Sequence, residues 1–257
     1  NVYSNFEMNN DIKAMADAFL GALSDEKLLG FIFCPIRSAS RSWLQGLGVS
    51  DDWSLEEGLK VLLTAAINLL QSRGAGCLIY VGSDEWLIEP LQRDWGFAVY
   101  ERVITFVKQD WHIPSRGNSE VCIRPAHVTD IPALLEVDQQ AFGSLWCYDE
   151  ETFVHIMANT PYFVVATLGE KVIGYQFNHR RGEEGHLTRL AVHPAYQGQG
   201  IGVRLMAEAI DFFRREKMRT ITLNTQKGNL VSQRLYRWFG FRPTGEEAVV
   251  LMKKIDN

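Results

Sequence analysis

The stretch "LTRLAVHPAYQGQGIGVRLMAEAIDFF", residues 187–213, decides how this chain is read. An apolar run ends at Val192, three glycines and two glutamines follow, and apolar residues at helical spacing resume from Ile201. Glycine is a poor residue with which to begin a helix interior. A helix start, however, leaves backbone N–H groups unpaired and carries partial positive charge. Gly198, Gly200 and Gly202 have no Cβ to keep an anion away from those groups. The spacing therefore predicts a strand, a phosphate or pyrophosphate cradle and a helix. A Walker loop would need Gly-Lys-Ser/Thr, which is missing, and a dinucleotide fingerprint needs G-x-G-x-x-G directly after its strand. Here G-x-G-x-G follows "HPAYQ" instead.

Working outward, the chain repeats itself. "EKLLGFIF" (26–33) matches "EKVIGYQF" (170–177), and "LQRDWGF" (91–97) matches "LYRWFGF" (235–241), both at an offset of 144. Gly58 and Gly202 share that offset, each opening an apolar helical pattern. Two α/β units are expected, at 1–112 and 118–257, joined by the Pro-, Gly-, Ser- and Asn-containing linker "KQDWHIPSRGNSE" (108–120). The second unit reads strand, helix pair, hairpin "YFVVATLGEKVIGYQF", strand "GHLTRLAV", glycine loop, helix, strand, helix, strand. The first copy follows the same order from its hairpin onward; the offset puts its first strand before residue 1.

The bulk composition limits the alternatives. At 257 residues, with 46% hydrophobic and 22% charged, the chain has the balance of a soluble globular protein. Its longest apolar run, "VLLTAAINLL", is far shorter than a membrane span, and the first residues lack the order of a signal peptide. A cytoplasmic protein is expected. Its four cysteines are scattered and its six histidines form no ligand pair, so no metal is expected. A net charge of −5 argues against nucleic acid as a partner.

The segment "LAVHPAYQGQGIGVRLM" resembles the signature of the GNAT acyl-CoA N-acyltransferase superfamily: Gln197-x-x-Gly200-x-Gly202 after Val192-His193-Pro194. "NLVSQRLYRWFGF" resembles its second signature, with Asn229, Ser232, Leu235, Tyr236, Gly240 and Phe241 at the usual spacing. The likeness covers 121–257 in element order. It implies a mixed-sheet α/β fold in two tandem GNAT-like units, and acyl transfer from acetyl-CoA to an amine. By the same resemblance, the amides of Gln197, Gly198, Gln199, Gly200, Ile201, Gly202 and Val203 hold the CoA pyrophosphate. The backbone of Leu190, Ala191 and Val192 pairs with the pantetheine arm, next to a bulge that splays two strands. Asn229 contacts that arm, and Tyr236 lies near its sulfur.

Amine attack on a thioester needs a neutral nucleophile and a proton for the leaving thiolate. Tyr236 is the expected acid. For the base, alternation along "GHLTRLAV" puts His186, Thr188 and Leu190 on one face and Leu187, Arg189 and Ala191 on the other. Histidines occupy the positions of His186 and Thr188 in the arylalkylamine branch of the family, and this sequence keeps the first. His193, before Pro194, is expected to be exposed. "EVDQQAFGSLWCYDEETF", with Phe142 and Trp146, resembles the helix pair of the branch that acetylates protein N-termini. A peptide α-amine and a small-molecule amine both remain open as acceptors. The rival readings are a non-catalytic acyl-CoA sensor and an aminoacyl transferase using tRNA.

Overall fold

A computed structural model describes residues 2–4, 18–25, 27–37 and 41–255. The chain divides into two units, one made of Asn1–Arg102 with Glu247–Asn257 and the other of Val103–Glu246.

In the first unit, strands β1 (Val2–Ser4), β2 (Phe19–Ser24), β3 (Lys27–Phe33) and β6 (Gly46–Val49) form an antiparallel sheet in the order β1-β6-β3-β2. Strands β4 (Ile36–Arg37), β5 (Arg41–Trp43) and β7 (Cys77–Gly82) adjoin in that order. Helix α1 (Leu55–Ser72) buries Leu59, Leu62, Leu63, Ala66 and Leu70, one stripe of a 3.6-residue period, into a core with Ile32, Leu47, Leu78 and Tyr80. Helix α2 (Glu85–Arg93) adds Leu87 and Leu91.

The second unit orders its strands β8-β13-β12-β11-β10-β9. These are β8 (Ala98–Lys108, entering this unit at Val103), β9 (Cys122–Pro125), β10 (Tyr162–Leu168), β11 (Lys171–Arg181), β12 (Glu184–Val192) and β13 (Thr220–Gln226). Only β12 and β13 pair in parallel; the other pairings recorded in this unit are antiparallel. Helices α3 (Ile131–Ala141) and α4 (Glu150–Asn159) pack with Tyr175, Phe177 and Ala191. Helices α5 (Ile201–Arg215) and α6 (Leu230–Trp238) pack with Phe106, Leu187, Ile221 and Leu223. The last strand, β14 (Arg242–Lys254), leaves this unit at Glu246 and pairs with β7 over Val249–Lys254.

Two expectations change here. The division is not at 112/118, because the chain's last strand belongs to the first core: Val249, Leu251 and Ile255 are buried with Leu78 and Leu91. Nor is 108–120 a free linker. Lys108 is the buried end of β8, where its Nζ donates to the Phe239 carbonyl at 2.6 Å, and Trp111 and Ile113 pack against the core around Phe213.

Candidate active site

The glycine loop is a 3-10 turn, Pro194–Tyr196, followed by residues that lead into α5. Gly198 and Gly200 have φ of 77° and 78°, a left-handed backbone that glycine alone adopts without cost. Gly200 is the N-cap, and its carbonyl accepts from the Arg204 N–H at 3.0 Å, the first bond of the helix. Among the described residues, no partner is recorded for the amides of residues 198–203. The Gln197 amide is spent on the Pro194 carbonyl at 3.2 Å, and its side chain donates to the Val192 carbonyl at 3.1 Å. The Gln197 amide therefore falls outside the expected cradle. His193 is not an exposed loop residue: its side chain is 17% exposed, and Nδ1 accepts the Ala195 N–H at 3.2 Å.

Beside this loop the sheet opens. β12 pairs with β13 only as far as Leu187↔Leu223, although the strands run on to Val192 and Gln226. The pairing of β12 with β11 continues to Val192. His193 N–H donates to the Ile173 carbonyl at 2.9 Å, so alternation turns the N–H and C=O of Val192 and Leu190 to the opposite edge, where the Val192 carbonyl already accepts from Gln197 and the Val192 N–H and both Leu190 groups face the gap. Ala191 faces β11 by the same count and buries its methyl with Tyr175, so its backbone is not available to a ligand.

The parting coincides with a bulge. Phe177 pairs with Arg189 and Asn178 with Leu187, leaving Thr188 as the extra residue of β12. The bulge inverts the side-chain phase and overturns the simple alternation read from sequence. Leu187 and Leu190 both pack toward α5, whereas Arg189 and Ala191 point toward α3.

His186 stands one residue before the strands part, opposite Thr222. Its Nδ1 lies 2.9 Å from Thr222 Oγ1, and that hydroxyl donates to Glu184 Oε1 at 3.1 Å. A hydroxyl has one proton, and a carboxylate only accepts, so Nδ1 carries the imidazole proton and Nε2 is left as the basic nitrogen. Burial, then the charge of nearby His179, holds the His186 pKa below its ordinary value. Tyr236, on α6, is 8% exposed and meets Phe106 edge-on at 5.9 Å. Burial raises its pKa above the ordinary phenol value, against a smaller opposing effect of a hydrogen bond with Ser232. The loop, the open edge and this helix converge: a Cβ on Gly202 would lie 3.6 Å from Leu235 and 3.8 Å from Val192. Asn229 caps α6, its Oδ1 accepting the Ser232 N–H at 3.1 Å.

Comparison with known proteins fits this geometry. The profile of the acetyltransferase (GNAT) family matches residues 131–241, from α3 through the loop and Tyr236 to the end of α6. The unit that holds the site belongs to the GNAT acetyltransferase family. With the family comes the activity, acetyl-CoA-dependent N-acetyl transfer. A putative [ribosomal protein bS18]-alanine N-acetyltransferase of Bacillus subtilis is 26% identical over 129 residues, covering 49% of this chain and 84% of that protein. Over the whole length, the fold is shared with a GCN5-related N-acetyltransferase from Sphaerobacter thermophilus (TM-score 0.70, 15% identity, 94% of this chain and 82% of that one). It is shared too with a tandem GNAT protein from the clavulanic acid biosynthesis pathway (TM-score 0.68, 12% identity, 93% and 84%).

The GNAT unit also contains a cluster that the motifs did not reveal. Asp138, fully buried on α3, pairs with Arg189, whose Nε donates to Asp138 Oδ1 at 2.9 Å and to the Tyr175 hydroxyl at 2.8 Å. The Arg189 guanidinium lies between the rings of Phe142 and Tyr148, at 3.7 and 4.0 Å, and donates to the Trp146 carbonyl at 2.7 Å. Asp138 Oδ2 accepts the Tyr148 N–H at 2.7 Å. One buried ion pair thus fastens the segment between α3 and α4 onto the bulged strand. The available signal was an acid on the apolar stripe Ile131, Leu134, Val137, Asp138.

Proposed function

We propose that this protein acetylates the N-terminal α-amine of a polypeptide, with the amides of residues 198–203 holding the CoA diphosphate and the open edge of Leu190 and Val192 holding the pantetheine arm. The observation that carries this reading is the parting of β12 and β13 beside amides that have no partner within the described protein. Acetyl-CoA supplies an activated acyl carbon and a thiol leaving group. Tyr236, kept protonated by burial, gives its phenolic proton to the departing sulfur. His186, neutral at pH 7 and basic at Nε2, takes the proton that the amine loses as it forms the new N–C bond. Asn229 keeps Nδ2 for the arm while its Oδ1 caps the helix.

The choice of acceptor rests on chemistry and on the relative's name. An α-amine with a pKa near 8 is about a tenth neutral at pH 7, so a single imidazole suffices, whereas a lysine near 10.4 needs far more help. The Bacillus relative is named for an alanine at a ribosomal protein. The test is release of free thiol from acetyl-CoA with three acceptors: peptides with free N-termini, N-blocked peptides containing lysine, and small primary amines. Preference for the first supports the reading. Preference for small amines overturns the acceptor, and no turnover with any favours an acyl-CoA sensor.

A further inference from the structure

We infer that Asn118 is a positioning residue for the diphosphate cradle, acting through a strap, residues 116–118, that lies across the start of α5. The inference rests on the reading of residues 198–203 as the CoA diphosphate site.

Asn118 Nδ2 donates to the Gln199 carbonyl at 3.1 Å, and its backbone N–H donates to the Gly200 carbonyl at 3.3 Å. Two successive peptide planes of the loop are thereby held by one residue. In a planar trans peptide the C=O and the following N–H point in opposite directions. Fixing the Gln199 carbonyl toward Asn118 turns the Gly200 N–H the other way, and fixing the Gly200 carbonyl does the same for the Ile201 N–H. Both amides are among those with no partner recorded in the described protein. A glycine-rich loop left to itself samples many orientations of these planes. The strap selects one and orders the donors before the anion arrives, which spares binding that cost.

The strap is fitted for this contact. Gly117 has φ of 69°, and a Cβ there would lie 2.4 Å from the Gly200 carbonyl oxygen and 2.5 Å from the Arg204 nitrogen. A side chain at 117 would push the strap off the loop. Gly200 is constrained from the other side, since its own Cβ would stand 3.1 Å from the Asn118 nitrogen. Arg116 pairs with Asp211 on α5, and Asn118 Oδ1 accepts the Glu120 N–H at 2.9 Å, so the strap is anchored before and after the contact.

The experiment compares two ligands in the full chain by calorimetry and steady-state kinetics. One is CoA, or acetyl-CoA for turnover; the other is pantetheine or acetyl-pantetheine, which has the thiol arm without the diphosphate. Asn118→Ala should weaken CoA binding and raise the KM for acetyl-CoA by roughly three- to tenfold, the value of one hydrogen bond. Its kcat with acetyl-CoA, and its use of acetyl-pantetheine, should not change. Gly117→Ala should do the same by steric means with Asn118 intact, so failure of either variant to fold leaves the other as the test. If both variants that fold keep the wild-type preference for CoA over pantetheine, or lose both ligands equally, the strap is packing only and the inference is overturned. If the wild type itself shows no preference for CoA over pantetheine, the diphosphate site is elsewhere, and the underlying reading fails rather than the role of the strap.

Discussion

A phenol sealed in a core keeps its proton, and the proposed reaction draws on that at Tyr236. Its raised pKa means that the acid stays loaded beyond pH 10, so no alkaline limb from this group should fall within the working range. Tyr236→Phe should lower kcat by roughly ten- to a thousandfold, less if water substitutes, and leave the Kd for CoA nearly unchanged. Full turnover would reduce the residue to packing against Phe106. His186 gives the opposite dependence. Its pKa lies below the ordinary 6.5, so kcat/KM should show a limb below that pH, distinct from the limb near 8 set by an α-amine substrate. His186→Gln should abolish the lower limb only; a persisting limb would assign it to another group. The linked stability runs the same way. The native state binds this proton less readily than the unfolded chain, so the contribution is complete above about 6.5 and is lost as pH falls below it. Tyr236 and the glycines were legible because each belongs to a motif with fixed spacing. The tautomer of His186 was not, because Thr222 reaches it only through strand pairing across 36 residues.

At the scale of elements, the bulge at Thr188 matters most, and alternation was the wrong guide to it. Periodicity assumes an unbroken pleat, and one extra residue reverses every face beyond it. The first unit has an independent version of the same device. Its strand breaks at Leu44–Gln45, the positions that stand 144 residues before Thr188 and Arg189. The Leu44 N–H donates to Ile79 on β7, and the Gln45 N–H to Phe33 on β3, so the two halves again serve different neighbours. In the GNAT unit, the Asp138–Arg189 pair secures the strand beyond the bulge. Asp138 is fully buried and the Arg189 side chain is 8% exposed, so removing one partner leaves an uncompensated charge. Arg189→Met should cost about 3–5 kcal/mol in urea unfolding. The double variant Arg189→Met with Asp138→Leu should recover most of that loss. A cost below about 1 kcal/mol for the single variant would mean that neither the ion pair nor the guanidinium between its two rings holds the segment.

At the scale of the whole molecule, the repeat read from sequence has its counterpart in element order: β3, α1, β7, α2 and β8 are followed, one offset later, by β11, α5, β13, α6 and β14. What pattern reading did not supply was the destination of the last strand, since "EAVVLMKKI" has the same alternation whichever sheet receives it. A fragment of residues 118–257 would lack β8 and so expose β13 and the partners of Phe106. It should be poorly soluble as an isolated chain. The repeat also predicts how many CoA molecules bind. At the offset of 144, Trp53 stands for Gln197, Glu56 for Gly200, Glu85 for Asn229 and Gln92 for Tyr236, with Gly58 alone kept for Gly202. The space at Gly58 is closed as well. A Cβ there would strike Val49 at 2.6 Å and stand 3.4 Å from the Trp53 ring, which is itself packed against the first core. Asp51, Asp52, Glu56 and Glu57 crowd the start of α1, and carboxylates there repel a diphosphate instead of leaving amides open to it. We expect titration calorimetry to give one CoA per chain. The bound equivalent should disappear with a lesion in the loop at 198–202 and persist in Gly58→Ala protein that remains folded. Two equivalents per chain, one of them removed by a change near Gly58, would show that the first unit also binds the cofactor.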